Sequence, residues 1–68
     1  MEVRKPYLIN GLSVYRININ EYRYLWFTWY DRKVYNIHLV INNRVYTHSR
    51  YTNKYKNYIK FIMESEGL

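Results

Sequence analysis

Hydrophobic and polar residues alternate along most of the chain before residue 52, a pattern typical of β-strands with one buried face. Short polar segments interrupt the pattern and predict five strands, at residues 7–9, 12–19, 22–30, 33–41 and 45–51. Asn10 and Gly11 separate the first two strands and give the strongest local hairpin signal, because both residue types tolerate positive φ. Pro6 has no amide hydrogen to donate, so the first strand is expected at an edge of the sheet.

The third predicted strand is aromatic or apolar on both faces. Leu25, Phe27 and Trp29 share one face, and Tyr24 and Trp26 share the other. Strands of this kind are usually central and covered on both sides. Since the chain offers only one helix, we expect the face that carries Trp26 to be covered by curling of the sheet or by a partner.

The turn at residues 31–33 decides the register between the third and fourth strands. A three-residue turn pairs Leu25 with Leu39 and Phe27 with Ile37 and gives the driest core. A two-residue turn would instead bring Trp26 inward, because a shift of one residue exchanges the faces. We prefer the first arrangement. Its inward residues on the fourth strand are Tyr35, Ile37, Leu39 and Ile41. The turn predicted at residues 42–43 leaves the same choice open for the fifth strand. The residues affected there are Arg44, Tyr46, His48 and Arg50.

Apolar residues recur at helical spacing near the end of the chain and predict a helix at about residues 53–66. They are Tyr55, Tyr58, Ile59, Ile62 and Met63. Thr52 or Asn53 is the expected N-cap, and Gly67 is the residue at which the helix should end. The sequence therefore predicts a single small α+β domain, an antiparallel β-meander of three to five strands packed against one C-terminal α-helix.

Composition narrows the range of functions. The 68 residues carry a formal charge of +6 with a pI near 9.7, which favours polyanionic partners. The chain has no cysteine and no apolar run long enough to span a membrane, so disulfides, thiolate metal sites and a membrane span are not expected. It lacks Ala and Gln and is rich in residues with A/T-rich codons. This composition suggests an AT-rich genome, that of a phage, a plasmid or a low-GC bacterium. Since the absence of cysteine fits a reducing compartment, we expect a cytoplasmic protein of a bacterial or archaeal host.

Basic residues without acidic neighbours mark the region from residue 44 to residue 60: Arg44, Arg50, Lys54, Lys56 and Lys60. Lys54 and Lys56 would lie in the first turn of the predicted helix, where the helix dipole disfavours each cation by about 0.3–1 kcal/mol. An anion at the free amides of that turn would offset this repulsion, so we expect the five basic residues to contact phosphates. The alternative is that they are simply solvated.

Aromatic residues suggest a second candidate site, because ten tyrosines and two tryptophans exceed what so small a core needs. The expected platform consists of Tyr22, Tyr24 and Trp26, with Arg23 and His38 nearby. Bases can stack on such rings, and Tyr46 is expected to touch bases or sugars as well. Alternatively, the sheet could lie in a groove of a duplex, as β-sheet readers of DNA do. Two further alternatives remain open: the rings fill a rolled core, or they bind another protein.

No combination of residues indicates catalysis or a cofactor. His38 and His48 lie ten residues apart on different predicted strands, and no third ligand follows at a metal-binding interval. Ser13 and Ser49 belong to no nucleophile motif. We therefore expect no enzymatic activity, no metal and no cofactor.

The order of the predicted elements resembles that of two groups of DNA-binding proteins. Three strands followed by a helix, from Tyr22 to Glu66, are similar to the sheet-reading domains of plant AP2-type factors and of some phage integrase arms. The order of five strands and a helix is similar to that of small crenarchaeal chromatin proteins. The resemblance lies in the order of elements, so no family residues are carried over and function must be argued from the site.

We expect a small, basic, non-enzymatic protein that binds nucleic acid, DNA rather than RNA, through Tyr24, Trp26, Tyr46 and the five basic residues above. The alternative is an inhibitor encoded by a phage or another mobile element, of the anti-CRISPR or anti-defence type. Its Tyr, Trp and Arg side chains would bind an acidic or nucleic-acid-binding surface of a host protein. An unpaired edge strand would also permit a homodimer.

Overall fold

A five-stranded antiparallel sheet in the order β1-β2-β3-β4-β5 forms the body of the protein. The computed structural model describes the backbone of residues 2–9 and 12–68 and the side chains of residues 13–68. The strands are β1 Glu2–Ile9, β2 Leu12–Asn20, β3 Arg23–Tyr30, β4 Lys33–Ile41 and β5 Arg44–Tyr46. This confirms the predicted meander and the edge position of the first strand, while the turn predicted at Asn10 and Gly11 lies outside the described residues.

The C-terminal helical segment begins earlier than predicted. It consists of α1 Ser49–Thr52, a 3₁₀ turn Asn53–Tyr55 and α2 Lys56–Ser65. The N-cap is His48, whose Nδ1 accepts a hydrogen bond of 3.2 Å from the amide of Arg50. The prediction of a strand through residue 51 and of a cap at Thr52 or Asn53 was therefore wrong. Tyr51 and Thr52 have strand-forming side chains, but a capped helical turn buries Thr52 there.

The end of the helix is where the sequence places it. Gly67 adopts a φ of 78°, the left-handed conformation that glycine accepts without strain. Around it, the amide of Gly67 donates to the carbonyl of Glu64 at 3.0 Å and the amide of Leu68 donates to that of Met63 at 2.9 Å. These bonds satisfy carbonyl groups of the last turn that have no partner inside the helix. No helix in the described part of the chain is long and apolar enough to cross a bilayer.

A β-bulge at Asn36 sets the register of β3 and β4. The turn between them has two residues, Asp31 and Arg32, with φ of 52° and 57°, so Tyr30 pairs with Lys33. The preferred pairing of Leu25 with Leu39 is nevertheless confirmed. Two residues oppose one near Asn36, where φ is 53°, and this extra residue restores the register that a two-residue turn alone would lose.

The bulge also corrects one face assignment. Tyr35 was predicted to point inward, but it precedes the bulge, pairs with Thr28 and is 44% exposed. At the next turn, Asn42 and Asn43 have φ of 49° and 66°, and Leu39 pairs with Tyr46. Since paired residues of antiparallel strands share a face, the side of the sheet that carries Tyr46 is now settled as that of Leu39.

The two faces of the sheet differ sharply. The helix packs on the face of the odd-numbered residues of β3, termed here the helix face, and the core there consists of Ile17, Leu25, Phe27, Trp29, Ile37, Leu39, Ile59, Ile62 and Met63. Tyr15 extends this core by stacking on Phe27, with ring centroids 5.9 Å apart. The opposite face, termed the open face, is covered by no helix of the described chain.

Asn36 should tolerate glycine but not a β-branched residue. We expect Asn36→Val to lower the free energy of unfolding by about 1–2 kcal/mol, because a Cβ-branched residue is strained at positive φ. Asn36→Gly should leave stability nearly unchanged. Urea unfolding followed by circular dichroism measures both, with Lys33→Val as a control at an exposed position of the same strand. An equal loss for valine and glycine would contradict the bulge.

The helix contributes to stability through one face only. Ile59 is fully buried whereas Phe61 is 73% exposed. Ile59→Ala should therefore lower the free energy of unfolding by about 2–5 kcal/mol, and Phe61→Ala should change it by no more than about 0.5 kcal/mol. Thermal and urea unfolding of the two variants provide the comparison. Similar losses for both variants would contradict this helix orientation.

Candidate nucleic-acid interface

The open face places side chains from three strands next to one another. In the register of the sheet, Arg16 pairs with Trp26 and Asn18 pairs with Tyr24, while Trp26 also pairs with His38. Cross-strand neighbours have Cβ atoms about 4.5–5.5 Å apart. The sheet thus brings a guanidinium, an amide, two aromatic rings and an imidazole onto a single surface.

Arg16 is held in place at the centre of this surface. Its Cζ lies 3.6 Å from the centroid of the Tyr24 ring, and its Nε donates a hydrogen bond of 2.9 Å to Oδ1 of Asn18. The ring of Trp26 lies 6.4 Å from that of Tyr24 at an interplanar angle of 54°. A guanidinium has five N–H donors, so four remain after the bond to Asn18.

The open face has a buried floor, although no helix covers it. Thr28 is 7% exposed and Val40 is 5% exposed, and Val40 pairs with Tyr24 across the strands. Tyr24 and Trp26 are half-buried. Their neighbours therefore fix the two rings, while part of each ring remains accessible. A ligand that stacks on them binds with little loss of side-chain entropy, because the rings are already ordered.

A cleft at the edge of β4 connects the open face with the helix. β5 pairs only with the last three residues of β4, Leu39, Val40 and Ile41, so it does not extend along the earlier part of that strand. The cleft has a volume of about 380 Å³. Its lining residues include Tyr35, His38, Thr47, Ser49, Thr52 and Lys56. His38 thus belongs both to this cleft and to the row that contains Trp26.

Five of the eight predicted site residues fall into two groups on opposite sides of the sheet. Tyr24 and Trp26 lie on the open face, and Lys56 reaches its edge through the β4 cleft. Tyr46 and Lys54 line a separate cleft on the helix face. The remaining predicted residues, Arg44, Arg50 and Lys60, are exposed.

Two residues assigned to the aromatic platform lie elsewhere. Arg23 lines the cleft on the helix face, because it shares the face of Leu25. Tyr22 lies in the turn between β2 and β3 and is 55% exposed. Arg16 and Asn18 occupy the positions beside the rings instead. Sequence reasoning missed them as site residues, although the alternation of β2 already separates both from Ile17.

The expected anion site in the first helical turn is not formed as predicted. The helical segment starts at Ser49, so Lys54 and Lys56 lie within it rather than at its beginning. The first-turn amides already have acceptors: Arg50 donates to His48 Nδ1, and Tyr51 and Thr52 donate to the His48 carbonyl at 2.9 and 3.2 Å. The argument from the helix dipole therefore does not apply to these two lysines.

The basic side chains of the described chain are not neutralised by acids. No ion pair joins two residues whose side chains the structure describes, so their charge is available to an anionic partner. Burial, followed by the nearby Tyr55, raises the pKa of Tyr58 above its ordinary value. Within residues 13–68, no three His, Asp or Glu side chains converge where they could hold a metal ion.

The stacking of Arg16 on Tyr24 should be measurable as a coupling energy. In a double-mutant cycle with Arg16→Met and Tyr24→Leu, we expect a coupling of about 0.5–2 kcal/mol in the free energy of unfolding, because a guanidinium over an aromatic face is attracted by the ring. A control cycle pairs Arg16→Met with Tyr30→Leu, whose ring is 70% exposed. Coupling of equal size in both cycles would contradict the contact.

Comparison of the chain with protein-family models, with curated proteins and with solved structures finds no significant match. The function of the open face is therefore inferred from its own geometry and charge.

Proposed function

We propose that the protein is a non-enzymatic nucleic-acid-binding module and that the open face of the sheet is its binding surface. The observation that carries this proposal is the fixed stack of Arg16 on Tyr24, next to Trp26, on a face without a covering helix. Aromatic rings and guanidinium planes are the groups on which proteins stack unpaired bases. The surplus of basic residues supplies attraction to the phosphates.

The width of the sheet favours single-stranded nucleic acid over a duplex as the ligand. Neighbouring strands lie about 4.8 Å apart, so five strands extend about 19 Å across, whereas the major groove of B-DNA is about 12 Å wide. The sheet cannot enter that groove face-on. An unpaired strand can instead lie across the sheet with its bases against the rings, and DNA in the cytoplasm of a bacterial or archaeal host is the partner we propose.

The phosphates of a bound nucleic-acid strand would run from the open face over the edge of β4 towards the helix. His38 stands beside Trp26 in the register and shares the β4 cleft with Lys56. Lys60 follows one helical turn after Lys56, and residues four apart lie on the same side of a helix. This path connects the stacking surface with two of the predicted phosphate contacts, Lys56 and Lys60.

Fluorescence anisotropy with labelled single-stranded DNA, duplex DNA and RNA tests the proposal. Single-stranded DNA should bind most tightly, and Trp26→Ala should weaken its binding about 5- to 100-fold, as expected for the loss of one stacked base. Binding should also fall with salt, with a log–log slope of about −0.7 for each phosphate engaged. Salt-independent binding, or an unchanged affinity of Trp26→Ala, would overturn the assignment of this face.

Two variants with the same change in net charge test whether the nucleic acid passes over the β4 edge or is attracted by the net charge alone. Lys56→Glu and Arg32→Glu make the same change in net charge, but Arg32 lies at the turn between β3 and β4, beside the C-terminal end of the helix. We expect Lys56→Glu to weaken binding clearly more than Arg32→Glu. Equal effects would show that only the net charge matters and would contradict the path over the β4 edge.

A second candidate function is the binding of a host protein, as an inhibitor encoded by a phage or another mobile element. The observation that favours it is Phe61, which is 73% exposed on the outer side of α2. Aromatic side chains are enriched at protein interfaces. In this case one host protein should co-purify after nuclease treatment, and Phe61→Ser rather than Trp26→Ala should abolish the association.

A further inference from the structure

A second cleft lies on the helix face, on the side of the sheet opposite to the stacking surface. It has a volume of about 330 Å³ and is lined by Arg23, Leu39, Ile41, Tyr46, Tyr51, Lys54 and Tyr55. The sheet forms the base of the cleft, and α1 and the 3₁₀ turn form one wall. Nothing in the proposed function uses this cleft.

Cations and aromatic rings dominate the lining. Lys54 and Arg23 both line the cleft, and no Asp or Glu does. Arg50 adds a third cation at the wall, because its Cζ lies 4.8 Å from the Tyr51 ring and its Nη2 donates to the Tyr51 hydroxyl at 2.7 Å. The rings of Tyr46 and Tyr51 lie 5.1 Å apart. The cleft thus combines excess positive charge with flat apolar surfaces.

One hydrogen-bond donor of Arg23 has no acceptor among the described residues. Its Nε is buried and makes no hydrogen bond within the described part of the chain. A buried guanidinium donor without an acceptor is unfavourable, because it has lost water and gained nothing in exchange. An anion bound in the cleft would give the guanidinium of Arg23 a charged acceptor, and a guanidinium binds phosphate oxygens through two parallel N–H bonds.

We propose that this cleft binds the phosphate ester of a nucleoside, with Arg23 and Lys54 on the phosphate and the base against Tyr46 and Tyr51. The volume is near the lower limit for small-molecule sites, about 300 Å³, which suits one nucleotide rather than an extended chain. Both a free nucleotide and the phosphorylated end of an oligonucleotide present this chemistry. The site lies across the sheet from Trp26, so it stands independently of the proposed function.

Titrations followed by ¹H–¹⁵N spectra test the proposal with defined probes: AMP, adenosine, inorganic phosphate, and one single-stranded DNA with and without a 5′-phosphate. AMP should shift the amide signals of Tyr46, Tyr51 and Tyr55, and adenosine should bind much more weakly because it lacks the phosphate. If the 5′-phosphorylated DNA shifts the same signals and the unphosphorylated DNA does not, the source is a strand end. If only AMP does, the source is a free nucleotide.

Variants assign any binding to the cleft and not to the open face. Arg23→Met should weaken AMP binding about tenfold or more, as expected for loss of a charged hydrogen bond. Lys54→Gln weakens it as well and provides a second test if Arg23→Met fails to fold. Trp26→Ala and Lys60→Gln should leave AMP affinity unchanged, although Trp26→Ala weakens DNA binding on the open face.

Three outcomes would overturn the proposal: no binding of AMP at millimolar concentration, equal binding of AMP and adenosine, or shifts confined to residues of the open face. Because DNA stacking is measured with Trp26→Ala and nucleotide binding with Arg23→Met and Lys54→Gln, the failure of either site is distinguishable from the failure of the other.

Discussion

One helix can cover only one face of a sheet, and this constraint determines the rest of the structure. β3 is apolar or aromatic on both faces, but the helix contributes Ile59, Ile62 and Met63 to one of them. The aromatic rings on the other face, the open face, have no second layer of structure in the described chain to cover them. The side chains there are partly polar, since Arg16 lies over Tyr24 and Thr28 lies on the floor. Such a face can remain in contact with water and still offer flat surfaces for stacking.

The bulge at Asn36 makes the core and the open face mutually compatible. With a two-residue turn and no bulge, Leu25 would face His38 and Trp26 would face Ile37, so the core would lose its pairing of two leucines. The extra residue at positive φ restores Leu25 opposite Leu39 and at the same time sets His38 beside Trp26. A single backbone irregularity therefore positions both the core residues on the helix face and the candidate site on the open face.

Local chemistry was sufficient to predict the five strands from period-two alternation, the edge position of β1 from Pro6, and the end of the helix from Gly67. The predicted length of the turn between β3 and β4 was wrong, while the predicted pairing of Leu25 with Leu39 was right. Burial of the core favours that pairing, and the bulge supplies the extra residue that the shorter turn requires. The start of the helix was missed because His48 is an uncommon cap and Tyr51 and Thr52 favour strands. Long-range contacts such as that of Arg16 with Tyr24 depend on register and cannot be read from spacing alone. The separation of Lys54 from Lys56, in contrast, follows from their spacing, because residues two apart in a helix point in nearly opposite directions.

The separation of the basic residues changes how the net charge should be interpreted. In the sequence, the region from residue 44 to residue 60 reads as one continuous patch, but the fold sends Lys56 to the β4 edge and Lys54 to the opposite cleft. A charge of +6 spread over two sides attracts polyanions from many directions without defining an orientation. Orientation must therefore come from groups with fixed geometry, and the two best-defined ones are the Arg16–Tyr24 stack on one side and the buried Nε of Arg23 on the other. In the binding modes that we propose, electrostatic attraction would bring the partner to the protein, and these two guanidinium groups would determine where it binds.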